Sequence, residues 1–178
     1  MGIIDELRND HDLIRRFMES LEAFGIRRLQ GGAVRRHVDA FIVGFVEECH
    51  HRREEEVLFE HLTLKWTGLD QTVESLVHRH DEGRDHVEGM RLLAKDTSAA
   101  GATAWTWHLR RYRDLLRSHL EHEEAATLPC IARRLTSDDE VAIHQRLESR
   151  RGRDDLTRAR SERIVRFLES GGAVEAET

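Results

Sequence analysis

Apolar residues recur every three or four positions along most of the chain, which is the period of an amphipathic helix. From Ile3 to Phe24, the residues Ile4, Leu7, Ile14, Met18 and Leu21 share one side at ~100° per residue. A second helix is predicted from about Ala33 to Leu64, and a third from about Asp70, read as its N-cap, to Lys95. A fourth begins near Ala102 and runs past Cys130, with a kink expected at Pro129. Gly25, Gly31-Gly32, Trp66-Thr67-Gly68 and the small-residue stretch Thr97 to Gly101 mark the breaks. Ser137-Asp138-Asp139-Glu140 reads as a capping box that opens a fifth helix, and a sixth is expected from Leu156 to Leu168.

These elements predict an all-α fold: an antiparallel up-down-up-down four-helix bundle with one or two short extra C-terminal helices. Residues 1–135 would form the bundle, 136–170 a helical extension of the same domain, and 171–178 a flexible tail. Phe41, Phe45 and Phe59 fall on the far side of the second helix, so the last two helices or a second subunit must cover them.

Polar residues interrupt the apolar stripes in a repeated way. His11 and His80, His50 and His119, and Glu54 and Glu123 are each 69 positions apart. The chain therefore carries two copies of His…His-x-x-x-Glu, which makes the bundle two helical hairpins related by a pseudo-two-fold axis. On the second helix His50 and Glu54 share a face with Val43, Val46 and Val57, whereas His51 and Glu55 are turned ~100° and ~140° away. An i,i+4 His/Glu pair directs two metal donors to one spot. Two such helices, each beside a helix with one inward histidine, assemble six donors: His11, His50, Glu54, His80, His119 and Glu123. Two glutamates facing across the axis can bridge two cations. Burying them without cationic partners would cost several kcal/mol. Neutral imidazole with carboxylate suits iron, with manganese and zinc less favoured.

Other chemistries fit less well. No HExxH motif occurs, and the Glu-x-x-His of ferritin-like carboxylate sites is present once, as Glu47-x-x-His50, with no counterpart before His119. His37, His61, His78, His86, His108 and His144 lack repeat partners and read as surface or core-edge residues. A net charge of −6 argues against nucleic acid as the main partner. No run approaches the ~20 apolar residues that span a bilayer, and the first residues lack a leader's apolar core. Cys49 and Cys130 suggest neither a disulfide framework nor a zinc ribbon, so the reading is a cytoplasmic protein without a membrane partner.

On these residues the chain resembles the hemerythrin-like, HHE cation-binding family. Asp10-His11, HHRREEEVLF after Cys49, His80-Asp81-Glu82-Gly83-Arg84, and HLEHEEAATLP carry the resemblance over about residues 10–135. It implies a non-haem centre of two iron ions, cycling between Fe2+ and Fe3+ with an oxo or hydroxo bridge, held by the same six residues. The implied function is to bind or reduce dioxygen, nitric oxide or hydrogen peroxide; the alternative is an iron or redox sensor, or an iron-holding protein without turnover. No catalytic side chain is implied, and enzymatic turnover is left open. A small diatomic or peroxide ligand, an external electron donor, and a monomer or homodimer complete the expectation. Glu60 stands where many relatives have proline. The oxygen carriers also have a further histidine one turn along the third helix, where this chain has Arg84. His51, Glu47 or Tyr112 could supply the missing donor, Arg15 and Arg84 could balance carboxylates or an anionic ligand, and His122 borders the set.

Overall fold

Helix α1 spans Ile3–Phe24, with the bounds its apolar period predicts, and stops at Gly25, whose φ of 82° suits a residue without Cβ. The computed structural model describes residues 2–25 and 32–172, so the expected break at Gly31 and most of the tail (173–178) lie outside the described residues. Helix α2 continues from Gly32–Phe41 through Ile42–His51 and Glu54–Phe59 to Glu60–Lys65. After a turn through Gly68, α3 covers Asp70–Leu92. Helix α4 comprises Ala99–His122, Glu123–Thr127 and Leu128–Ala132, followed by α5 at Ser137–Glu148 and α6 at Arg151–Glu169. No strand occurs among the described residues, and the architecture is a helical bundle of α1 to α4 with two added C-terminal helices.

Five boundaries differ from expectation, and α3 ends at Leu92 rather than Lys95. Leu69, not Asp70, is the N-cap of α3, and no side chain caps it. Helix α4 begins at Ala99 because the Ser98 side chain accepts from the Gly101 N–H, drawing the expected linker into the helix. The capping box of α5 is shifted by one residue: Thr136 accepts from Asp139 N–H while the Asp139 carboxylate accepts from Thr136 N–H. Helix α6 starts at Arg151 rather than Leu156. Pro129 falls in the last segment of α4, just past a wide turn, where a missing N–H is readily tolerated.

Two apolar clusters lie at either end of the bundle. One gathers Phe17, Met18, Phe41, Phe45, Val87, Trp105, Tyr112 and Leu116. The other gathers Ile4, Leu7, Val57, Phe59, Leu62, Leu76, Leu128 and Ile131. The six repeated histidines and glutamates occupy the levels between them on all four helices and are fully buried. Helix α6 closes the first cluster with Ile164, Val165 and Leu168, and α5 closes the second with Ile143 and Leu147. Phe41 and Phe45 are therefore covered within the chain by α6, whereas Phe59, expected on the far side of α2, faces α3 and α4, with its ring 6.4 Å from that of His80.

Helices α2 and α4 depart from α geometry where the repeated residues lie. Ile42–His51, Glu54–Phe59 and Glu123–Thr127 are π-helical, with i→i+5 bonding. Such wide turns are rare and concentrate at functional sites. Their consequence is a register change. Each residue advances by less than the α-helical step, so His51 is buried next to His50 rather than turned to the rim.

Candidate metal centre

The four helices bring all six repeated residues together. His11, His50, Glu54 and Glu123 can each offer a donor atom within 4.8 Å of the others, and so can Glu54, His80, His119 and Glu123. Both glutamates belong to both sets, as two bridging carboxylates would. His11 Nε2 stands 3.3 Å and His119 Nε2 3.4 Å from Glu123 Oε2. His50 Nε2 lies 3.7 Å from Glu54 Oε1, and His80 Nε2 3.6 Å from Glu54 Oε2.

Polar atoms in this layer are left without hydrogen-bond partners. Both carboxylate oxygens of Glu54 and of Glu123, His11 Nε2 and His50 Nε2 are buried and unsatisfied. Buried polar groups are almost always paired, so a cluster of orphans points to a missing binding partner. Cations fit the donor types. The spacing fits too: two donors about 2.1 Å from one ion and at right angles stand about 3.0 Å apart, and His80 Nε2 and His119 Nε2 are 3.0 Å apart.

Outer carboxylates orient the imidazoles. With its proton on Nδ1, His11 donates to Glu124 Oε1 at 2.9 Å, and His80 donates in the same way to Glu55 Oε1 at 2.5 Å. Such bonds leave Nε2 free for a metal. Arginines hold the carboxylates in turn: Arg15 Nη2 lies 3.3 Å from Glu124, and Arg84 Nη2 donates to Glu55 at 2.6 Å. These groups obey the 69-residue offset as well, since Glu55 pairs with Glu124 and Arg15 with Arg84. The repeat therefore extends to Glu55 and Glu124, which rotation at ~100° per residue would place off the inner face.

Arg15 and Arg84 bind carboxylates around the donor set. Their side chains are about a third exposed, and Arg84 also binds Glu47 at 3.2 Å and Asp81 at 2.8 Å. They balance the outer carboxylates Glu124 and Glu55. The buried Tyr112 hydroxyl donates to Glu47 Oε1 at 2.9 Å, while Glu47 Oε2 lies 3.2 Å from His51 Nδ1. His122 is exposed and lines a separate apolar cavity of about 310 Å³ with Phe59, Leu76 and Cys130. Asp10, which carried no role in the sequence reading, lies 3.6 Å from His50 Nδ1 and is held by Arg53 and Arg158.

Electrostatics set apart the two glutamates that both donor sets share. Burial, the charge of Glu123 and that of Asp10 lift Glu54 well above the ordinary carboxylate range. Burial opposes ionisation of Glu123 too, but the approach of His11 and the charges of His119, His11 and His50 outweigh it and lower its pKa to about 2. Burial lowers the pKa of His50, His51 and His119, the last to about 3, which keeps these rings neutral as metal donors must be. Cys49 is buried beside Arg53, and burial pushes its thiol up to about 12, which leaves it inert at neutral pH.

A helical bundle with paired His/Glu sets around a polar midlayer defines a metal-binding class of protein. A family model described as the hemerythrin HHE cation binding domain matches residues 2–131, and the chain belongs to that family. No curated protein and no solved structure matches it. Among the described residues, no helix is long and apolar enough to cross a membrane.

Proposed function

We propose that this chain is a non-haem di-iron protein that binds or reduces a small molecule: dioxygen, nitric oxide or hydrogen peroxide. The observation that carries the reading is the pair of four-residue donor sets that share Glu54 and Glu123. His11 and His50 would hold one iron, His80 and His119 the other, and the two glutamates would serve both. Two irons supply reversible one-electron steps between ferrous and ferric states. The protein's own part is to fix the rings through Glu55 and Glu124, to keep the histidines neutral and to exclude bulk water. A cavity of about 10 Å³ lies against His80 and His119, room for little more than one water, which favours a very small ligand. A cytoplasmic location and an external electron donor belong to this reading, and the unpaired Cys49 and Cys130 accord with a reducing compartment.

One observation favours a second reading, an iron sensor or iron-holding protein without turnover. The buried, unpartnered carboxylates make the metal-free core costly, so stability should follow occupancy. Anaerobic titration of metal-free protein with Fe2+, followed by dioxygen, nitric oxide or peroxide, separates the two. The first reading expects about two irons per chain and a changed visible spectrum on adding at least one of the three molecules. An iron-loaded chain that responds to none of them would reject it and favour the second. Glu54→Gln with Glu123→Gln should abolish stoichiometric loading, and full loading of that double variant would refute both readings.

A further inference from the structure

His51 is buried, 2% exposed, yet its Nε2 has no hydrogen-bond partner. The other ring nitrogen, Nδ1, faces Glu47 Oε2 at 3.2 Å. That contact is the same device that holds His11 on Glu124 and His80 on Glu55: a carboxylate accepts a hydrogen bond from Nδ1–H and leaves Nε2 with a free lone pair. His51 also stacks on His80, with ring centroids 3.8 Å apart and planes 11° apart, and stands edge-on to His119 at 5.7 Å. His51, His80 and His119 can each offer a donor atom within 4.8 Å of the others. Resting on the di-iron reading above, we infer that His51 Nε2 is a third imidazole ligand of the ion held by His80 and His119.

The supporting groups converge on this assignment. Arg84 stands one turn beyond His80 on α3 and binds both Glu47 and Glu55, the two carboxylates that orient His51 and His80. Tyr112 donates to the remaining oxygen of Glu47. The arginine thus serves as a clamp on two orienting carboxylates, while the nitrogen donor comes from α2. Gly83 allows this packing, because a Cβ there would stand 3.3 Å from the Tyr112 ring. His51, Glu47 and Tyr112 stand outside the internal repeat. The positions 69 residues from His51, Glu47 and Tyr112 are Leu120, Leu116 and Val43, which have no polar side-chain atoms. The two ions are therefore unequal: three imidazoles on one and two on the other.

The test uses the full chain loaded with Co2+, a paramagnetic probe that shifts the imidazole N–H protons of bound histidines. The wild type should show five shifted, slowly exchanging N–H signals, from His11, His50, His51, His80 and His119. His51→Gln should lose one of them and bind its second Co2+ about 100-fold or more weakly, with the other equivalent little changed. Only four such signals in the wild type, which needs no variant to fold, would overturn the assignment. So would a folded His51→Gln chain with unchanged affinity and an unchanged signal count. A wild type that fails to take up two equivalents would instead refute the di-iron reading itself.

Discussion

At the residue scale, control of the centre passes through the ring nitrogens that face away from the metals. An imidazole binds metal only when neutral, and its free nitrogen is chosen by where the proton is held. Glu124 and Glu55 make that choice for His11 and His80, and their pKa values are lowered although burial opposes it, because the histidine and then the arginine bond outweigh desolvation. Glu55→Ala and Glu124→Ala should each weaken Co2+ or Fe2+ binding by about 10–100-fold. On the di-iron reading the two losses should be similar but fall on different ions, which competitive chelator titration would resolve. Less than a twofold change in both variants would show that these bonds are incidental.

At the element scale, the π turns of α2 and α4 and the docking of α5 are the informative features. The wide turn Ile42–His51 brings the consecutive histidines His50 and His51 into the interior together. Helix α5 is fastened at its start by Asp139, whose carboxylate accepts from Lys65 at 2.5 Å, from the Thr136 hydroxyl and N–H, and meets His61 at 2.7 Å. Those bonds, the one from Lys65 first, hold Asp139 well below its ordinary pKa. A depressed carboxylate stabilises the fold above its unfolded pKa of about 3.9, and the contribution is lost as pH falls through the lower folded value. Asp139→Asn should therefore cost about 1–2 kcal/mol at pH 7. Denaturant melts should show the gap from wild type narrowing below about pH 4; a gap constant down to pH 2 would disprove the ionic part.

At the scale of the whole molecule, the C-terminal helices are tied to the metal layer as well as to the core. Helix α6 covers Phe41 and Phe45 with Ile164 and Val165, and it sends Arg158 to Asp10, the carboxylate facing His50. Burial opposes the charge on Asp10, but His50, Arg53 and Arg158 together hold its pKa below the ordinary value. On the di-iron reading, Arg158→Met should leave the helical fold intact and weaken binding of the ion assigned to His11 and His50 by about tenfold. Metal titration of that variant beside circular dichroism would check it, and unchanged affinity would reduce α6 to a cover.

Taken alone, the sequence determined the helix order, the span of α1, and the six-residue pattern at a 69-residue offset. Each of these depends on local periodicity or on spacing along the chain, which survive without coordinates. Tertiary structure decided the rest. Which carboxylate serves which histidine depends on which helices are neighbours, so Glu124 of α4 serves His11 of α1, and Glu55 of α2 serves His80 of α3. The cover over Phe41 and Phe45 depended on where α6 returns. Rotation at ~100° per residue turned His51 away, whereas the π turn brings its unpartnered nitrogen beside His80 and His119. Backbone hydrogen-bond spacing leaves no mark in residue identity, so only the folded chain could reveal it.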